Sequence, residues 1–433
     1  MPSDAAGRQL EIVTEQVLDA VRGRIDSPMA TASCDGASVD NGRSVRTGLD
    51  MSTLRLLSRP ASALTALALF ALPALAQEAP RSPTPSAVKL AARVTDVARG
   101  LEHPWGLAFL PDGRMLVTER PGRLRVVARG GQVSEPLAGV PEVFARGQGG
   151  LLDVALSPSF ARDRLVYLSF SERGEGGAGT AVARGRLGER GLEGTQVIWR
   201  QQPKVSGANH WGSRLVFRPD GTLFVTLGDR YAYRDRAQDL SVTLGKIVRI
   251  NADGSIPRDN PFVGRDGARP EIWSYGHRNV QSAALDASGR LWTVEHGARG
   301  GDELNSPQPG LNYGWPVVTY GVDYSGARIG VGTSRQGMEQ PVYYWDPVIA
   351  PSGALFYTGD AFPDWRNDLL VGSLRPGCLV RLKIDNNRGV HEERYLADLG
   401  ERIRDVRQGA DGLIYLLTDS PRGRILRLEP AGG

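Results

Sequence analysis

The chain is expected to be all-β, a six-bladed β-propeller, and three features of its 433 residues point that way. A short unit recurs six times: an apolar strand, a tight turn rich in Asp and Gly, then a strand of β-branched and apolar residues. Helical periodicity of any length is absent beyond the N-terminal leader. Polar clusters fall in the connections between strands, where a propeller gathers residues around its central channel.

The clearest copies are Leu107–Arg120 (LAFLPDGRMLVTER), Leu215–Asp229 (LVFRPDGTLFVTLGD), Ser282–Gly297 (SAALDASGRLWTVEHG) and Val406–Asp419 (VRQGADGLIYLLTD). Two diverged copies are Val154–Phe170 and Gly353–Leu374. Each reads as a hairpin, and six hairpins extended by further strands make six blades. A large β-sandwich is the competing architecture, but it gives no reason for the repeated turn. The longer intervals at Arg230–Pro270 and Gly297–Gly337 read as long inter-blade loops. They combine charges with glycines and the aromatics Trp315, Tyr320 and Tyr324, which favours a functional role.

The leader is set apart from the fold. From Met51 the chain reads as a secretory signal: Arg55 and Arg59 form the basic region and Ala63 to Leu72 the apolar core. Ala74-Leu75-Ala76 is the cleavage site. About 15 apolar residues are short for a membrane span of roughly 20, so no stable membrane insertion is expected. The division is 1–50 a wrongly assigned start or an extension outside the fold, 51–76 the signal peptide, 77–92 a flexible linker and 93–430 the propeller. Export to a bacterial periplasm follows. With Cys34 in the leader, Cys378 is the one thiol of the exported part, so no intrachain disulfide is expected. The net charge is +4, with four lysines among 52 basic residues. The arginines are dispersed without an aromatic-basic stripe, which with export argues against nucleic acid.

His210 is the best candidate for a general base, because imidazole titrates near neutrality. Asp229, at the end of the following hairpin, is placed to orient it if that strand returns to the same end of the channel. The plainer alternative is a structural histidine; His277 and His296 compete with it, while His103 and His391 read as structural. Gln148 and Asp153 form another loop cluster. Arg278, Arg375, Arg402 and Arg404 lie where strands meet loops. Arg402 and Arg404 alternate, so a strand puts both on one face. Two forked cations there need an anion, either a small polyanionic ligand or acids of the chain such as Glu401 and Asp405. Glu295 to Trp315 reads as a calcium loop, with Asp302, Glu303 and free carbonyls as hard oxygens, or else as a merely solvated turn.

Taken together, these motifs resemble the soluble quinoprotein glucose/sorbosone dehydrogenase family, most of all its periplasmic aldose sugar dehydrogenases. The likeness runs from about Val94 to Leu428. It is carried by Gly147-Gln148-Gly149-Gly150-Leu151-Leu152-Asp153, Asn209-His210, Trp273-Ser274-Tyr275-Gly276-His277-Arg278-Asn279, Gly301-Asp302-Glu303, Asn312-Tyr313-Gly314-Trp315 and Arg402-Ile403-Arg404. The resemblance implies a six-bladed propeller holding pyrroloquinoline quinone (PQQ) and calcium at one end of its channel. It implies that His210 takes the proton of a sugar's anomeric hydroxyl while hydride passes to the quinone. Asp229 would orient His210, and Gln148 would contact substrate or cofactor. Arg278, Asn279, Arg402 and Arg404 match cofactor-binding positions, and Tyr324 a pocket position beside the cofactor. The carbonyls of Gly297 and Ala298 match its calcium ligands. Glu303, the Tyr313 carbonyl and Asp323 resemble a second, structural calcium site. The partners implied are an aldose sugar and an electron acceptor whose identity the residues leave open.

Two departures stand out: Arg375 occupies a position where relatives often carry lysine, and Val280 follows Asn279 where proline is common. A planar fork is not a point charge, so Arg375 would contact a cofactor differently. Two other classes compete. A calcium-dependent propeller lactonase needs metal and acids but no tricarboxylate-binding arginines. A non-catalytic binding propeller is expected to have lost His210 or the arginine pair, and both are present.

Overall fold

The computed structural model describes residues 88–90, 92–385 and 388–431. The predicted extension, signal peptide and all but the end of the linker lie outside the described residues. The strands form six antiparallel sheets in chain order. Blade one is β2 (Pro104–Phe109), β3 (Met115–Glu119) and β4 (Arg123–Val127). Blade two is β5 (Leu151–Leu156), β6 (Leu165–Gly174), β7 (Gly177–Leu187) and β8 (Leu192–Arg200). Blade three is β9 (Leu215–Phe217), β10 (Leu223–Thr226), β11 (Lys246–Ile250) and β12 (Ile272–Tyr275). Blade four is β13 (Val280–Leu285), β14 (Leu291–Glu295), β15 (Asp302–Asn305) and β16 (Tyr343–Trp345). Blade five is β17 (Pro351–Phe356), β18 (Leu369–Ser373), β19 (Leu379–Asp385) and β20 (Arg388–Tyr395). Blade six is β21 (Ile403–Gln408), β22 (Ile414–Thr418) and β23 (Gly423–Pro430), completed by β1 (Ala92–Leu101).

The fold is the expected six-bladed propeller, and the six sequence repeats are its six inner hairpins, one per blade. Their turns work as the composition requires. Gly113, Gly221, Gly289 and Gly412 sit at φ between +75° and +83°, where a side chain would be strained. The aspartates Asp112, Asp220, Asp286 and Asp411 accept the amide two residues on, at 2.9–3.1 Å. Phe160–Asp163 is a single helical turn.

The closure was not predicted. β1 pairs with β23 from Ala92↔Pro430 to Leu101↔Gly423, so the first strand fastens the last blade and leaves no open seam. The long intervals also fall differently from expectation. Residues 230–271 lie within blade three, around β11, and 306–342 lie between β15 and β16 of blade four. These two insertions lengthen connections inside blades, while neighbouring blades are tied together by contacts next to the channel.

Those contacts form a nearly regular ring. Ser169, Thr226 and Ser352 donate their hydroxyls to the Ser213, Val280 and Ile403 carbonyls of the next blade at 2.6–2.8 Å. Thr118 and Ser282 do the same to Leu152 and Ser352. Asp405 completes the circuit by accepting the Leu107 amide at 3.1 Å. At the channel itself Arg214 is buried between Asp153 (3.2 Å) and Asp405 (3.1 Å), and Arg407 reaches both carboxylates. Apolar clusters fill each gap between blades. Leu215, Leu223 and Val225 against Tyr167 and Val182 are one example.

Gly353 leaves room for Asp405: a Cβ there would lie 1.9 Å from Asp405 Oδ1 and 2.7 Å from its Cα. Backbone cannot yield cheaply, so Gly353→Ala is expected to destabilise the propeller by about 3 kcal/mol. Denaturant unfolding measures this; a loss below ~0.5 kcal/mol would contradict the close fit. Among the described residues no helix is long and apolar enough to cross a membrane.

Candidate active site

His210 precedes β9 and Asp229 follows β10, so the antiparallel hairpin between them returns both to one end of the channel. His210 Nδ1 lies 2.7 Å from Asp229 Oδ1. Gly228 makes this approach possible, since a Cβ there would stand 2.2 Å from the His210 carbonyl oxygen. Asp229 is fully buried and pinned from two further directions. Its Oδ1 accepts the Tyr231 amide (2.7 Å) and its Oδ2 the Trp315 indole N–H (2.8 Å). A carboxylate at Nδ1 fixes the tautomer that bears hydrogen there, leaving Nε2 as the basic nitrogen. Burial lowers the pKa of His210, which is 6% exposed. Asp229 opposes that shift and the Arg278 and Arg230 charges reinforce it. The ring is therefore neutral at neutral pH, as a base requires.

The exposed Gln148 acts on the backbone of this residue: its Oε1 accepts the His210 amide at 2.9 Å. Asn279 does likewise two residues further on, its Oδ1 accepting the Gly212 amide at 3.0 Å. Arg278 is 4% exposed and bonds the carbonyls of His296 (3.2 Å) and Gly297. Its Nε is buried without a partner.

Arg402 and Arg404 do share a face, and both meet Asp419 Oδ2, at 3.1 and 2.6 Å. Burial alone would raise Asp419, but the Arg404 charge and hydrogen bond hold it well below the usual carboxylate range. One carboxylate serves two guanidinium groups, and the Nε of Arg404 remains buried and unpartnered. Arg375 is exposed on the connection between β18 and β19 of blade five, adjacent in sequence to Leu374, whose carbonyl Arg402 contacts at 3.3 Å. His296 is pushed down to about 3, by burial first and then by Arg278, His210 and Arg404, so these groups converge on it.

The oxygen-rich loop divides into two places. The Gly297 and Ala298 backbone borders the His210 site, with Ala298 lining the pocket. Asp302, read from sequence as a metal ligand, uses Oδ1 on the Gly297 amide (2.8 Å). Its Oδ2 takes the Ile349 and Ala350 amides at 2.8 and 2.7 Å. Glu303 pairs across the sheet with Glu295, beside Asn305. Burial and then the Glu295 charge raise Glu303 well above the usual range. Tyr313 stacks on His277 at 4.9 Å, and His277 bonds Glu295 at 2.8 Å. Asp323 lies elsewhere, at the pocket mouth against Arg234 (3.3 Å).

The pocket measures about 290 Å³ and is lined by His210, Asp229, Tyr231, Arg278, Trp315 and Tyr324 among others. Sequence reasoning missed the role of Trp315 as a partner of Asp229, and it missed Tyr231 altogether. It also passed over Lys246, which is fully buried and lowered to about 7 by burial. Its ammonium donates to the Arg236, Ala237 and Leu244 carbonyls at 2.6–3.0 Å. That knot fastens the connection bearing Tyr231 and Arg234. A lysine inside an apolar strand gives no such signal before the loop is seen folded over it.

A six-bladed propeller with a buried His–Asp pair and buried arginines at one end of its channel belongs to the glucose/sorbosone dehydrogenase family, whose model matches residues 101–427. Among its relatives is the Aldose sugar dehydrogenase YliI of Escherichia coli (strain K12), 49% identical over 337 residues, covering 76% of this chain and 91% of the relative. A solved glucose dehydrogenase is 53% identical with a TM-score of 0.76, over 77% of this chain and 99% of that one. The PQQ-bound form of Aldose Sugar Dehydrogenase from Streptomyces coelicolor is 30% identical with a TM-score of 0.65, over 80% and 99% of the two chains.

Proposed function

We propose that this protein is a PQQ- and calcium-dependent aldose dehydrogenase that oxidises sugars at the anomeric carbon to lactones, after export to the periplasm. The observation that carries this reading is the His210–Asp229 pair opening onto a pocket lined by the buried Arg278, whose Nε is unpartnered. A buried, unpartnered Nε on both Arg278 and Arg404 fits a small polycarboxylate, since forked cations match carboxylates. PQQ carries three carboxylates and an ortho-quinone, and when bound it supplies the two-electron acceptor for hydride.

Arg278, Arg402 and Arg404 would hold its carboxylates, with Arg375, Gln148, Asn279 and Tyr324 around it. The carbonyls of Gly297 and Ala298 offer calcium two hard oxygens. Calcium takes about 6–8 oxygen ligands, so the remainder would come from the cofactor and water. Glu303 and the Tyr313 carbonyl remain the proposed second calcium site, without Asp323, which pairs with Arg234 at the pocket mouth; the unpartnered Asn305 Oδ1 beside Glu303 fits a hard cation there.

The chain's own residues then perform the proton chemistry. His210 Nε2 accepts the anomeric O–H proton while the C–H electron pair leaves as hydride, and the C–O bond becomes the lactone carbonyl. Asp229 Oδ1 keeps Nδ1–H aimed and stabilises the imidazolium that results. Trp315 and the Tyr231 amide hold the carboxylate in place, so little reorganisation is needed as charge appears. The test is an absorbance titration of the purified protein with PQQ and calcium. A saturable cofactor band that an aldose then changes supports the reading. A folded protein that binds no quinone moves the assignment to the lactonase or binding-module classes.

A further inference from the structure

The His210–Asp229 hydrogen bond joins two short segments, 207–213 and 228–231, and both are bent into backbone that side chains ordinarily avoid. φ is +53° at His210, +91° at Ser213, +60° at Arg230 and +64° at Tyr231. Strain of this kind persists only where other contacts over-determine it. Part of the restraint is backbone: the Ser213 amide meets the Thr226 carbonyl at 2.6 Å, and the Asp229 amide meets the Arg278 carbonyl at 2.8 Å.

Arg230 supplies a side-chain link between the same two segments. Its guanidinium carbon lies 3.3 Å from the centre of the Trp211 ring, and Nη2 donates to the Gly207 carbonyl at 2.7 Å. Trp211 follows His210, and Arg230 follows Asp229. The dyad and the stack therefore run side by side between the segments, each made of neighbours of the other.

The arginine is chemically unusual as well. It is 1% exposed, and its Nε and Nη1 have no partner. The adjacent Asp229 spends its oxygens on His210, the Tyr231 amide and Trp315. Burial pushes the guanidinium down to about 10. A desolvated cation without a paired acid is costly, and an apolar side chain would fill the space more cheaply.

We infer that Arg230 is a positioning residue for His210: its stack on Trp211 fixes the crossing that aims Asp229 at Nδ1. This rests on His210 acting as the base. The groups facing that ring are Asp229 beyond β10, Arg278 before β13, His296 beyond β14, Tyr231 edge-on at 5.2 Å, and Arg230 itself. Asp229 favours the protonated ring, and the two arginines oppose it.

Two variants separate the contributions: Arg230→Lys keeps the charge without the flat stack, and Arg230→Met keeps apolar packing without the charge. The full chain loaded with PQQ and calcium is assayed for kcat and for the pH dependence of kcat/KM with an aldose. Independently, NMR follows the His210 imidazole titration without cofactor or sugar, its resonance assigned by loss in His210→Gln. In Arg230→Met the titration is expected to move up by about half a unit, and the acid limb of kcat/KM with it. Arg230→Lys should titrate near the parent, while kcat in both falls ~10-fold through lost alignment. Folded variants with kcat within about twofold of the parent and an unmoved titration would overturn the inference. If the parent oxidises no aldose, the functional reading fails, and the titration alone decides the role of Arg230. Should Arg230→Met not fold, Arg230→Gln takes its place under the same criteria.

Discussion

His210→Ala is expected to lower kcat/KM for aldose oxidation by about 10³, within the range of ~10²–10⁴ that a positioned base contributes. Asp229 does not replace it, because in the variant its Oδ1 still accepts the Tyr231 amide and its Oδ2 the Trp315 indole N–H. The binding pocket should survive, so the loss should fall mainly in kcat. The pH profile of the parent carries a second signature. The imidazole is lowered from its ordinary 6.5 by burial, with Arg278 and Arg230 adding to the effect against Asp229. As the proposed base the ring works deprotonated, so activity is expected to rise with pH through a limb below 6.5 and to be flat above it. The same shift links to stability. The folded chain binds this proton less readily than the unfolded one, so the stabilisation is complete above about 6.5 and is lost as pH falls towards the folded value. His296, pushed down to about 3, acts in the same direction over a wider window. A limb at or above 6.5, measured as kcat/KM against pH, would contradict the buried neutral base.

Arg278→Leu is expected to weaken PQQ binding about 100-fold, since a charge-assisted pair to a buried carboxylate is worth ~1.5–3 kcal/mol. Calcium retention should fall together with the quinone, because the bound quinone would supply part of the calcium's coordination. Because Arg278 depresses His210, the variant should also show its acid limb at higher pH once saturated with cofactor. Titration of cofactor absorbance with parent and variant gives the affinities. Equal affinities would remove Arg278 from the cofactor site and leave the Gly297 carbonyl contact as its role.

The fold was legible because the repeat is local. Each copy encodes its own hairpin, and the Asp and Gly of each turn act within a few residues of one another. The closing strand was illegible for the opposite reason. Ala92–Leu101 meets Gly423–Pro430 across the whole chain, and neither stretch carries a turn signal that names its partner. The candidate site divides along the same line. His210, Asp229, Arg278 and Tyr324 come from motif-bearing loops and line one pocket. Asp419, which takes both Arg402 and Arg404, is one strand pair away, while the acids nearer in sequence are occupied elsewhere. Asp405 faces Arg214 and Arg407, and Glu401 faces Arg424. Trp315, 86 residues from Asp229, reaches it through an insertion within blade four whose path no periodicity describes.

The most direct measurement is dye-linked sugar oxidation by the purified protein, with and without added PQQ and calcium, with His210→Ala alongside. If the protein is the quinone-dependent aldose dehydrogenase proposed, oxidation requires both additions and collapses in the variant. No oxidation across a panel of aldoses by folded, supplemented protein would contradict that assignment, as would activity that His210→Ala leaves intact.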